Sequence, residues 1–304
     1  MNEDQEIILR HGAWEAVVAA YGASLRGVTK DGQSVATGYR GIANKQGGQG
    51  DVLIPFPGRV GGGTYLWDEV RYQLPQTDKD GPNAIHGFVR TIDWTTAEQS
   101  ESRARFTLAF TGAPGYPFPL DLELAYTLSD EGLRCDFGIT NTGAVAAPVA
   151  TGFHPYFTVG SEQVDMDWLT LPFDSVLEMV QFIPTGKIFS VAEAGLDFSR
   201  PAPIGATVFN HCFLGPQRGS DGRARVTLTG RGKLTGKGKS VTVWMDEAFD
   251  YVVLYTGENM PAEYRRGSLA IEPMTCGSDA FNHPAWGLRR LEPGARFVGS
   301  WGVG

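Results

Sequence analysis

The sequence predicts an all-β protein: a large antiparallel β-sandwich with few, short helices. Three features lead to that class. Apolar residues recur at every second position in many short runs, which is the period of a half-buried strand. Forty glycines and eighteen prolines punctuate these runs, as the turns of a strand-rich chain require. No window sustains the 3.6-residue apolar stripe of an amphipathic helix.

The elements follow in chain order. "RFTLAF" (105–110) reads as a strand. "LDLELAYTL" (120–128) puts Leu120, Leu122, Leu124, Tyr126 and Leu128 on one face. "SDEG" (129–132) supplies turn chemistry, and "LRCDFGI" (133–139) alternates again, so 120–139 is predicted to be a hairpin with one buried face. Further strands are predicted at "ARVTLT" (224–229), "VTVWM" (241–245), "YVVLY" (251–255) and "LAIEP" (269–273). Many short antiparallel strands stack most economically as two sheets over a shared core. No low-complexity linker divides the chain, so residues 1–304 are expected to form one domain.

Composition narrows the function. The formal net charge is −8 and the pI is about 5.2, which argues against nucleic-acid and anionic-membrane partners. Cys135, Cys212 and Cys276 are widely spaced and form no metal pattern; they read as reduced thiols of a cytoplasmic protein. The acidic start "MNEDQEIILRHG" does not read as a signal peptide, and no run reaches the roughly 20 apolar residues of a membrane helix.

Two glycine-rich stretches are set aside. "GRGKLTGKGKS" (230–240) places Lys233 where a phosphate-binding loop needs glycine, and it leads into a strand, so it is expected to be an exposed basic turn. The triple glycine at 61–63 lacks the spacing and strand–helix–strand context of a dinucleotide site.

Four segments carry the chemistry. They are "PFPGRVGGGTY" (55–65) with Arg59, "NAIHGFVR" (83–90) with His86, "TGFHPYF" (151–157) with His154, and "SLAIEPMTCGSDAFN" (268–282) with Glu272. Alternation puts Ser268, Ala270 and Glu272 on one face, and likewise groups Gly152, His154 and Tyr156. In both cases small residues flank an ionisable one, leaving room beside it for a ligand. Taken singly, a strand glutamate reads as a solvated or ion-paired residue, and a histidine among aromatics as a packed one. The His and carboxylate spacing does not match a metal site. His11 and His283 read as surface residues.

Taken together and in this order, the four segments resemble the aldose 1-epimerases (galactose mutarotase-like proteins), and "YGASLRGVTKDGQSVATGY" (21–39) extends the likeness toward the N-terminus. The resemblance implies a β-supersandwich with a sugar cleft across one sheet, interconverting α and β anomers without cofactor or metal. Carried onto matching positions, Glu272 resembles the family's general base and His154 its general acid. Arg59 and His86 resemble its substrate-positioning residues. Tyr156 and Trp286 are candidates to pack on a sugar face.

There is one departure: "FNHCFLG" (209–215) has Asn210 where many members carry a sugar-binding Asp. Asn keeps hydrogen-bonding capacity but brings no charge. His211 is expected to point away from Asn210. Two other readings stand beside the mutarotase. One is an epimerase of a phosphorylated or sulfonated hexose, for which Arg26 is the candidate cation. The other is a non-catalytic sugar-binding protein on the same sandwich. The expected partner is a small-molecule sugar; the sequence does not reveal an oligomeric state.

Overall fold

The computed structural model describes residues 5–230 and 238–304. Most of the 230–240 turn therefore lies outside the described residues, although the strands on either side of it, Ala224–Thr229 and Ser240–Met245, pair antiparallel. Two large antiparallel sheets make up the architecture. The helical elements among the described residues are four three-residue 3-10 turns.

The first sheet has twelve strands. It runs from Glu6–His11 through Trp14–Ala19, Ser24–Lys30, Gln33–Thr37, Tyr156–Phe157, Leu269–Met274, Tyr251–Tyr255, Asn210–Pro216 and Phe173–Val180 to Ile183–Ser190. Gly152–Phe153 and Val52–Leu53 join it beside the central Leu269–Met274 strand. The second sheet has nine strands and contains the predicted hairpin, seen as Leu120–Ser129 paired in unbroken register with Gly132–Asn141. The runs predicted at 105–110, 224–229, 241–245, 251–255 and 269–273 are all strands.

Alternation decides what each face of the first sheet does. Phe153 points between the sheets, with its ring 6.2 Å from Phe137 and 5.5 Å from Trp301 of the second sheet. Phe157, Leu269, Ile271, Val252 and Leu254 share that buried interior. Burial of such a side chain contributes about 1.5–3 kcal/mol, and a one-residue slip would turn several of them outward at once. The core thus fixes the register, and the register sends the intervening residues to the opposite face. Cys135, Cys212 and Cys276 are buried free thiols. No described helix is long and apolar enough to cross a membrane.

Candidate active site

Leu269–Met274 is the strand on which the site is built. Along one edge it pairs with Tyr251–Tyr255; along the other, Gly152 lies opposite Met274 and Tyr156 opposite Ala270. Continued between those two points, the same register sets His154 across from Glu272. The side chains meet: His154 Nε2 lies 3.4 Å from Glu272 Oε1. Both are nearly fully buried, with Glu272 Oε2 and His154 Nδ1 lacking a hydrogen-bond partner.

A cleft of about 400 Å³ opens over this pair on the outer face of the first sheet. Arg59, His86, Tyr156 and Asn210 line it together with the pair, so six of the eight sequence candidates converge on one cavity. A larger hollow of about 720 Å³ lies on the second sheet. Several of its charged residues pair with one another, as in Arg105–Glu123 and Arg134–Asp136, and no histidine lines it.

Local structure explains how the cleft residues arrive. The Arg59–Val60 and Ala84–Ile85 strands form a short ribbon, with Arg59 opposite Ile85, so His86 emerges next to Arg59. His86 has φ of 64°, and its N–H donates to Gly58 O at 2.9 Å. Gly87 follows at φ 65°, where a Cβ would lie 2.0 Å from Ile54 O; only glycine fits there. The His86 and His154 rings meet edge to face at 5.4 Å, and Tyr156 stacks on His154 at 5.1 Å. On the other side Gly48 presses against the imidazole: a Cβ there would sit 2.6 Å from His154 Cδ2. His154 is thereby held from three directions.

Burial shapes the protonation of the pair. It drives the Glu272 carboxyl well above its ordinary value, with Arg59 opposing the effect from a distance. It also pulls His154 down to about 3, reinforced by the charges of Lys45 and Arg90. His86 is lowered for the same reasons, desolvation first, then His154 and the neighbouring cations. The sequence reading set a carboxylate opposite an imidazolium, whereas burial favours a carboxylic acid opposite a neutral imidazole. The two forms contain the same single proton, placed on one partner or the other.

Sequence reasoning missed the carboxylates behind the cations. Arg59 Nε donates to Asp78 Oδ2 at 2.6 Å, and its Nη2 reaches Asp80 Oδ2 at 3.3 Å. Asp51 is fully buried and takes Arg90 Nη1 at 3.2 Å and the Lys45 ammonium, while its carbonyl accepts the His154 N–H at 3.0 Å. Three of these four pairings join residues 19 or more apart, and the aspartates stand in loops, so no local pattern announces them.

Two candidates are placed elsewhere. Arg26 is not in the cleft: its strand, Ser24–Lys30, turns the guanidinium into the protein, where it pairs with Glu6 at 3.2 Å and lies 5.2 Å from the centre of the Tyr39 ring. Trp286 stacks on His283 at 4.0 Å and packs behind the cleft wall rather than lining it. His211 borders the cleft, but its position opposite Leu254 sends its ring toward Phe209 and Phe213 and away from the floor.

With the geometry in view, comparisons with known proteins converge. The family model described as Aldose 1-epimerase matches residues 5–301. The protein YihR of Escherichia coli (strain K12) is 30% identical over 279 residues, covering 91% of this chain and 86% of that protein. The maltose epimerase of Levilactobacillus brevis is 31% identical over 157 residues, 48% of this chain and 45% of that one. The crystal structure of an aldose epimerase homologue from C. elegans superposes with a TM-score of 0.84 at 19% identity, covering 98% and 97% of the two chains, and thus shares the fold.

Proposed function

The chain belongs to the aldose 1-epimerase family, and from that premise we propose that it interconverts the α and β anomers of an uncharged aldohexose, with Glu272 as base and His154 as acid. It is an isomerase. The observation that carries the mechanism is the 3.4 Å contact of His154 Nε2 with Glu272 Oε1 at the floor of the cleft.

Ring opening needs two proton movements. The C1 hydroxyl loses its proton to Glu272 while the ring oxygen takes one from His154, and the C1–O bond breaks to leave an open-chain aldehyde. Rotation about C1–C2 exposes the other carbonyl face. The C5 hydroxyl then attacks it, returning its proton to His154 as Glu272 protonates the new C1 oxygen. The pair starts and finishes with one proton, so each cycle resets itself. A sugar hydroxyl donating to Glu272 favours the carboxylate, which draws the shared proton onto His154 beside the ring oxygen. General acid–base help of this kind is worth about 10²–10⁴-fold per group, and the cleft adds to it by holding both groups against one ring.

An uncharged substrate is supported by the cations. Arg59 and Arg90, two of the three cations that line the cleft, pair with Asp78, Asp80 or Asp51, which leaves them as hydrogen-bond donors rather than as anion holders; the third, Lys79, is exposed to solvent. Asn210 adds an uncharged donor and acceptor at the rim. Arg26, the candidate for an acidic sugar, is on the wrong side of its strand. The relative named maltose epimerase supports epimerisation as the reaction class.

The test is anomer exchange by NMR on equilibrated D-galactose, D-glucose and glucose 6-phosphate. Acceleration for a neutral hexose that is lost in Glu272→Gln is the expected result. Acceleration for the phosphate ester alone overturns the assignment of an uncharged substrate, and acceleration that survives Glu272→Gln overturns the roles.

A further inference from the structure

The outer edge of the first sheet is a hairpin, Phe173–Val180 with Ile183–Ser190, joined by the two residues Gln181 and Phe182. Both have positive φ, 49° and 68°. A two-residue hairpin turn of this hand calls for Asn, Asp or Gly, and at its second position above all for Gly. A bulky aromatic in the left-handed region is a strained choice, and strain of this kind persists where surroundings or function demand it. The hairpin carries a second irregularity: the pairing shifts register between Leu177 and Met179, a bulge that bends the arm toward its tip.

What the two irregularities accomplish is to aim one ring. Phe182 and Met179 line the cleft from this arm. The Phe182 ring lies 4.5 Å from the Arg59 guanidinium carbon, covering that group's face while Asp78 and Asp80 hold its edge. Nothing in the core requires an aromatic here, since Phe182 is only half-buried and belongs to none of the buried apolar clusters.

We propose that Phe182 is a substrate-contacting residue of this cleft: its ring forms one wall of the sugar site, offers an apolar surface to the C–H face of the pyranose, and holds the planar Arg59 guanidinium in position against the hydroxyls. The assignment rests on the anomer-interconverting reading of the cleft. It concerns binding rather than proton transfer.

The measurement pairs two readouts, because a structural role and a binding role move them differently. Phe182→Gly relieves the left-handed strain and removes the ring. The expected result is a melting temperature equal to or above that of the unaltered protein, together with a rise in KM of about three- to tenfold, the range set by one aromatic contact. Phe182→Tyr, which keeps a ring, is expected to restore KM. A lowered melting temperature in Phe182→Gly, or a KM unchanged by loss of the ring, overturns the proposal. Saturation-transfer NMR to D-galactose in the Glu272→Gln background separates the two readings. If the unaltered protein accelerates no anomer exchange, the mutarotase reading fails by itself, and the wall is still judged by whether Phe182→Gly weakens that sugar signal.

Discussion

Gly152 pairs with Met274, and Tyr156 pairs with Ala270, in a single antiparallel register that leaves His154 facing Glu272 at 3.4 Å. The two side chains therefore face each other across adjacent segments of one sheet, in a spacing that the register and the backbone bonds of His154 to Gly50 and Asp51 fix together. Two consequences concern protons, one concerns packing, and one concerns the cation that lies elsewhere.

The pH dependence of turnover is expected to be a broad plateau. The working pair holds one proton. At low pH a second proton is added and no base remains; at high pH the last proton leaves and no acid remains. Burial pulls His154 down to about 3 and raises Glu272 well above a normal carboxyl, so the limbs are pushed apart. A kcat/KM profile should stay flat through neutrality and down past pH 6.5, with limbs belonging to the pair. A limb centred near 6.5 would mean that His154 titrates like an exposed imidazole.

Glu272→Gln is expected to raise thermal stability at pH 8 and to do so less as the pH falls toward 4. The folded-state value of Glu272 is raised, so above about 4.5 the unfolded chain releases a proton that the folded chain retains. Stability is accordingly lost as pH rises from there toward the folded-state value, and glutamine removes that loss. In a protein of this size, each kcal/mol regained moves the melting temperature by about 1.5–2 °C. Melting curves of both proteins at pH 4, 6 and 8 check the sign; a gain equal at every pH would contradict it.

Gly48→Ala is expected to lower kcat by about tenfold or more, because displacement of a reacting group by about 1 Å costs as much as a hundredfold. The new methyl would sit 2.6 Å from His154 Cδ2, so the imidazole must move. Gly32→Ala is a poor control because its φ is 70°, whereas Ser220 is exposed and away from the cleft, so Ser220→Ala serves better. Steady-state kinetics with unchanged kcat in Gly48→Ala would show that the ring has slack.

Arg26→Met is expected to leave KM for a neutral hexose unchanged while lowering stability. The guanidinium is buried against Glu6 and Tyr39, and breaking a buried pair costs about 3–5 kcal/mol. Glu6 also holds Arg40 at 2.6 Å, which softens the loss. Denaturant titration and polarimetry on the same preparation check both halves. A KM that rises without loss of stability would return Arg26 to the cleft.

What the sequence disclosed depended on the range of each signal. The 120–139 hairpin was legible because its alternation is unbroken and its partner is adjacent. Glu272 and His154 were legible because period two assigns a face without reference to any neighbour. Arg26 was misplaced for the complementary reason. It lies between Leu25 and Gly27 in a strand with a register shift, and its partner Glu6 is twenty residues away on another strand. Asp51, Asp78 and Asp80 stand in irregular segments where spacing says nothing about direction, so their hold on Lys45, Arg90 and Arg59 became visible only in three dimensions. Trp286 looked available because it is aromatic, but packing claimed it.

The pleat that sends Phe153 and Phe157 inward is the one that sends His154 outward, so interior and chemistry are written in alternate letters of one short word. A point substitution edits one letter. An insertion or deletion between Gly152 and Tyr156 changes the phase of all of them, driving an imidazole toward the Phe137–Trp301 interior and a phenyl ring toward the sugar. A change of length in this segment therefore strikes the packed interior and the floor of the cleft in the same event.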